Sequence, residues 1–215
     1  LVAVNNAMQL PLDPDRVKGF LHPDEGECLY QLAYSAAALG PALEVGSYCG
    51  KSTLYLGAGV RDGGGLLYAL DHHRGSEEHQ LGEEYHDAEL YDVQLQQMDS
   101  LPTFRRTLAL AQLESVVVPI VASSAQAGRY WQTPVALVFI DGGHSLEAAL
   151  TDYRTWVPHI LSGGYLAIHD IFPDPADGGQ APHEIYKLAM ASGLFESVEM
   201  CRTLGVLKRI GHRGK

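Results

Sequence analysis

Leu43-Glu44-Val45-Gly46-Ser47-Tyr48-Cys49-Gly50-Lys51-Ser52-Thr53 is an apolar run that ends in an acidic, glycine-punctuated turn and passes into a helical pattern. Gly50-Lys51-Ser52 has the look of a phosphate loop. That motif needs four residues between its first glycine and the Gly-Lys pair, whereas Gly46 and Gly50 enclose three. A dinucleotide fingerprint fails as well, because Tyr48 stands where a second glycine would let the backbone approach a pyrophosphate. What fits is a strand end, a glycine turn and a helix, with a second acid, Asp71, closing the next apolar run over 66–70. A carboxylate roughly 20 residues beyond the glycine turn is placed to accept hydrogen bonds from ribose hydroxyls. The ligand expected of this stretch is a nucleoside without phosphates.

Working outward, residues 24–39 carry helical apolar spacing at Cys28, Leu29, Leu32, Ala33 and Ala36 and stop at Gly40-Pro41. Strands are predicted over 42–45, 66–70, 116–121, 135–140 and 165–168. Helices are predicted from 51 and over 101–113, 125–131, 145–156 and 184–190, with a closing hairpin over 198–202 and 205–210. Continuous apolar strands that alternate with helices imply an α/β fold, in which a parallel sheet is covered on both faces and ligands bind at the carboxyl ends of its strands. No internal repeat or second domain is visible. The chain of 215 residues reads as one domain, with an N-terminal helical segment over about 1–40 and an insertion over about 72–100.

The order acid, glycine, three residues, glycine, followed by Asp71, resembles the first motif of the class I S-adenosylmethionine-dependent methyltransferases. That resemblance implies a Rossmann-like, mostly parallel seven-stranded sheet with an antiparallel last strand. It also implies S-adenosylmethionine as cofactor, with Glu44, Gly46 and Ser47 around its methionine end, Gly50 allowing the close turn, Asp71 on the ribose, and Ser123 and Ser124 beside the adenine.

A second constellation is Ile140-Asp141-Gly142-Gly143-His144, joined by His169-Asp170 at the end of the strand over 165–168. Asp141 and Asp170 offer hard carboxylate oxygens at neighbouring strand tips, the ligand type preferred by magnesium, manganese or calcium. The pairing resembles the divalent-metal-dependent O-methyltransferases, with His169 in place of the usual first acid of an acidic pair. The metal ligands so implied are Asp141, His169 and Asp170, with Mg2+ expected and Mn2+ as the alternative. An imidazole there would favour manganese or zinc, or else turn away and leave its place to water. The sugar-acting members of the group place a histidine base three residues after the first acid, which here is His144. An alcohol holds its proton too tightly to attack a sulfonium methyl at neutral pH, so a base titrating near neutrality serves the reaction. Asp141 then serves at the metal, at the cofactor and in catalysis.

Fifteen basic against 26 acidic side chains leave a formal charge of -11, which repels phosphate backbones and anionic membranes. Nucleic acid and membrane are therefore not the expected partners. No apolar segment reaches the length of a membrane span, residues 1–4 are too short for a signal core, and Cys28, Cys49 and Cys201 are scattered thiols without paired metal spacing. The cytoplasm is the expected compartment.

The insertion carries eight acids and four histidines with Arg74 as its one basic residue. Long loops over a rigid scaffold commonly form lids or substrate walls. Carboxylates beside Tyr85, His86 and Tyr91 suit a hydroxyl-rich ligand, and Tyr48 and His72 are further candidates to line the acceptor cleft. The expected acceptor is a sugar or oligosaccharide. Two other readings stay open at this point: a phenol or catechol O-methyltransferase, and a nucleoside- or metal-binding module without transferase activity. The insertion would serve equally as a dimer arm, so a homodimer is a further expectation.

Overall fold

Strand β1 (Ala42–Val45) is buried at every position and pairs in parallel with β2 (Leu67–Asp71) on one side and β6 (Val135–Ile140) on the other. It is the centre of the protein, as its lack of an outward polar face requires. The structure, a computed structural model, describes residues 8–76, 80, 82, 86–143 and 145–211.

Strand order in the main sheet is β5-β2-β1-β6-β7-β9-β8, with β5 at Val117–Val121, β7 at Ile160–Ile168, β8 at Phe195–Cys201 and β9 at Leu204–Arg209. The first five strands in that order are parallel, and β9 runs antiparallel to β7 and to β8. Helices α1 (Pro23–Ala36), α2 (Lys51–Gly63) and α3 (Leu101–Leu110) cover one face around Leu29, Leu54, Phe104 and Phe139. Helices α4 (Ser124–Ala127), α5 (Leu146–Trp156) and α6 (Ala181–Ala191) cover the other around Leu43, Val138, Trp156 and Ile185. Alternation along β6 sends Leu137 and Phe139 to the first core and Val138 and Ile140 to the second.

Several boundaries differ from the sequence expectation for identifiable reasons. Strand β7 starts at Ile160 instead of 165, because the chain passes Gly163 at φ +82° and re-enters the ladder after a register shift opposite Val135 and Leu137. Helix α4 is a single turn, closed by a capping box between Ser123 and Gln126 and continued as a 3-10 turn. Inside the insertion, β3 (Tyr91–Asp92) and β4 (Gln97–Met98) form a short antiparallel hairpin that the sequence pattern did not indicate.

The turn after β1 is set by contact between strand tips. Gly46 has φ +91°, and a Cβ at that position would overlap the carbonyl oxygen of Asp141 at the end of β6. Both the backbone conformation and the close approach demand glycine. We expect Gly46→Ala to cost about 3 kcal/mol or more by urea unfolding. Gly64→Ala, at φ +74° with nothing within 4 Å of its Cβ, should cost only about 1 kcal/mol.

Candidate active site

A cavity of about 560 Å³ opens above the carboxyl ends of the central strands. The strand tips supply its floor: Gly46, Ser47 and Tyr48 after β1, Asp71 and His72 after β2, Ser123 and Ser124 after β5, Asp141, Gly142 and Gly143 after β6, and Asp170 after β7. Residues 18–21 of the N-terminal segment and one side of α5 form further walls.

Tyr48 enters the left-handed region at φ +45°, and its backbone N–H donates to Asp71 Oδ2 at 2.7 Å. His73, at φ +58°, donates its N–H to the other oxygen of Asp71 at 2.7 Å. Asp71 thus holds the loops after β1 and β2 together while it faces the cavity. Each carboxylate oxygen keeps a lone pair for a ligand hydroxyl.

Glu44 does not reach the cavity. It is fully buried, and its two oxygens accept 2.6 Å hydrogen bonds from Ser52 Oγ and Thr53 Oγ1 of α2. Burial pushes its carboxyl up to about 7, against the pull of those hydroxyls. The expected contact with the methionine end is therefore replaced by a tie between strand and helix. Gly50 also leaves the ligand: at φ +95° it faces Thr107 and Phe104 of α3, and it allows a close helix approach. The ring of His86 packs edge-on against Tyr91, away from the cavity lining. Tyr85 and His144 lie outside the described residues.

His169 is buried behind the floor with both ring nitrogens facing carboxylates. Nε2 lies 3.0 Å from Glu25 Oε2, and Nδ1 lies 3.1 Å from Asp141 Oδ1 and 3.4 Å from Asp170 Oδ1. Burial opposes the charged ring, but Asp141, Glu25 and Asp170 outweigh it and push the imidazole up to about 11. Glu25, on α1, also accepts from the backbone and hydroxyl of Thr203 at 2.9 and 2.8 Å. Burial raises its carboxyl, but His169 and Thr203 bring it down to about 2. Sequence reading treated α1 only as a helix ahead of the first strand and missed Glu25. An acid among apolar residues at its spacing was the available signal.

Asp141, His169 and Asp170 each present one ligand atom within 4.8 Å of the others. The donor set fits a divalent cation in which the metal takes the place of the proton on Nδ1. Nε2–H would keep its bond to Glu25, the carboxylate behind a ligating imidazole that orients such rings in metal sites.

Two further walls came from outside the motifs. Lys18 lines the cavity and reaches across to Asp87 and Glu89 of the insertion at 2.6 and 2.5 Å, so that the N-terminal segment and the insertion are joined. Asp152 of α5 enters from the opposite side. Neither belongs to a local pattern that marks a site.

A family model described as a methyltransferase domain matches residues 43–171, more than half of the chain. Among solved structures, cofactor-bound Rv0187 from MTB is 17% identical with a TM-score of 0.64, the match covering 92% of this chain and 85% of that one. An O-methyltransferase from Bacillus cereus in complex with SAH is 17% identical at a TM-score of 0.61, over 89% of this chain and 83% of that one. The O-methyltransferase TomG from Streptomyces achromogenes, involved in tomaymycin synthesis and solved with SAM, is 15% identical at a TM-score of 0.60, over 89% and 82%. At these identities the likeness is one of fold.

Removing one partner of the buried Glu25–His169 pair should be costly. Glu25→Ala is expected to destabilise the metal-free protein by about 3–5 kcal/mol in urea titrations. Glu25 falls from 4.5 to about 2, so its contribution is present above pH 4.5 and fades as pH drops toward 2; His169 rises from 6.5 to about 11, so its contribution is full below pH 6.5 and fades toward 11. The difference between wild type and variant should therefore be greatest between pH 4.5 and 6.5.

Proposed function

Because the chain belongs to the methyltransferase domain family, we propose that it is an S-adenosylmethionine-dependent O-methyltransferase acting on a hydroxyl of a sugar or oligosaccharide. The observation that carries the cofactor assignment is Asp71, held by two backbone N–H groups at the rim of a cavity with room for a nucleoside. Its oxygens accept from the ribose hydroxyls. The methionine end runs over Gly46 and Ser47 at the tip of β1.

Transfer breaks the bond between sulfur and methyl carbon, and its electron pair returns to sulfur as a neutral thioether. The acceptor oxygen forms the new bond and gives up its proton. His144 is our candidate for the base that takes it, following Gly143 of the cavity lining. The carboxylates of Asp141 and Asp170 line the cavity and would favour binding of the positive sulfonium. Holding oxygen, methyl and sulfur in line supplies much of the acceleration. Asp141, Asp170 and Nδ1 of His169 would hold a divalent cation, which supplies positive charge that eases loss of the acceptor proton.

The acceptor class rests on the opening of the cavity. Lys18 and Ser76 give it polar groups and Phe20 and Tyr48 give it aromatic ones. Polar donors interleaved with rings suit a saccharide better than a flat phenol, for which a more apolar wall is expected. Within that class, 1-O-methylation of methylated mannosides is the specific case we propose.

The test is methyl transfer from labelled S-adenosylmethionine to mannosides, glucosides, partly methylated oligosaccharides and catechols, with magnesium or with chelator. Labelling of a sugar that stops on chelation is the expected result. Labelling confined to catechols would replace the acceptor, and labelling that persists unchanged in chelator would remove the cation. His144→Ala is expected to lower turnover by roughly a hundredfold with cofactor affinity nearly intact, and full turnover in this variant would dismiss the base.

A further inference from the structure

The insertion is fastened to the rest of the protein by two kinds of contact. One is apolar: Leu90 and Met98 are buried against Cys49, and Tyr48 and Tyr91 pack onto the same cluster. The hairpin of β3 and β4 therefore sits on the loop whose Tyr48 N–H holds Asp71. The other contact is ionic and lies at the rim. Lys18 Nζ is 2.6 Å from Asp87 Oδ2 and 2.5 Å from Glu89 Oε2, across 69 and 71 positions of chain.

Lys18 is presented by a fixed stretch of backbone. Val17 before it is buried in the first core, and Gly19 after it, at φ +147°, is pressed against α2, where an added Cβ would come 2.8 Å from Lys51 Cβ. The side chain is the movable part, at 37% exposure beside 25% for Asp87 and 80% for Glu89. One ammonium has three donors and can hold two carboxylates at once. Its hydrogen bonds to Asp87 and Glu89 keep it charged far above neutral pH, so around neutrality the lever on the contact is ionic strength. The insertion carries eight acids with Arg74 as its one basic residue. Without a cation from outside, Asp87 and Glu89 repel one another and their neighbours, and the rim loosens.

We propose that Lys18, Asp87 and Glu89 form a latch on the mouth of the cavity, which parts to admit the cofactor and parts again to release its product. The proposal rests on the cofactor reading above. Residues 18–21 wall the cavity, Gly75 and Ser76 at the start of the insertion line it as well, and the ion pair ties these two walls together. The seam between them is the side that opens at least cost. Parting the floor would break strand pairing, and moving α5 would uncover Trp156, which is fully buried. Parting the seam breaks ion pairs that water and salt reach, and such pairs are weak one by one. Opening of a rim of this kind often sets the rate of product release.

The test is the association and dissociation kinetics of S-adenosylhomocysteine on the full chain by surface plasmon resonance, with thermal melts as a check on folding. The proteins are wild type, Lys18→Met, Lys18→Arg and the double variant Asp87→Asn with Glu89→Gln. In wild type both rate constants should rise roughly threefold or more between about 20 mM and about 500 mM NaCl. In Lys18→Met and in the double variant both should be roughly fivefold faster at low salt and flat in salt, with affinity moving by less than about twofold, because a latch is made before and after binding alike. Lys18→Arg should keep the slow, salt-sensitive rates. A lysine that merely touched the ligand would change dissociation without association, and the double variant would not share its effect. Unchanged rate constants in a folded Lys18→Met, or faster dissociation in Lys18→Met with the double variant unaltered, overturns the latch and leaves the cofactor reading standing. No binding of S-adenosylhomocysteine by wild type overturns both.

Discussion

The site depends on the close approach of Gly46 to the carbonyl of Asp141, where the tips of β1 and β6 meet. A side chain there would part the two central strands at the point where they must deliver ligand groups. Because the tips touch, Tyr48 is turned into the left-handed region and its N–H is aimed at Asp71 on the next strand. One steric constraint thus aligns three strand ends, and the cavity floor follows from it. Glu44 works from beneath: buried and bonded to Ser52 and Thr53, it locks the first turn of α2 to β1 and keeps the loop from drifting.

The floor is acidic at its surface, and a cation stands behind it. Asp141 and Asp170 face the cavity, while His169 lies behind them on β7 and Glu25 behind that on α1. Two carboxylates this close would repel one another without a positive group between them. The imidazolium supplies that charge, and Thr203 and the N-terminal turn of α1 complete the hydrogen bonding of Glu25.

The walls are built differently from the floor. Lys18 bridges the N-terminal segment to Asp87 and Glu89, and two segments separated by most of the N-terminal half of the domain become one rim. Alpha-helical residues make the other wall, with Asp152 anchored through Ser124 to the buried Trp156. Rigid strand tips with loops above them are the usual division between positioning and selectivity. Among the described residues no helix is long and apolar enough to cross a membrane.

The local pattern by itself determined the alternation of strands and helices, the unphosphorylated nucleoside expected at the first turn, and the placing of Gly46, Asp71, Asp141 and Asp170 at strand ends. These follow from periods of two and 3.6 residues and from glycine's conformational freedom, which act over a few neighbours. Tertiary structure alone decided that Glu44 points into the core, that Gly50 serves a helix contact, and that His169 is clasped by Glu25, 144 residues away. The direction of a side chain at a strand tip is chosen by whatever packs against it, and that partner comes from elsewhere in the chain. Glu25, Lys18 and Asp152 were hidden for the same reason: each lies on an element whose own pattern speaks only of a helix or a loop, and each acquires its role from a surface that folding brings to meet it.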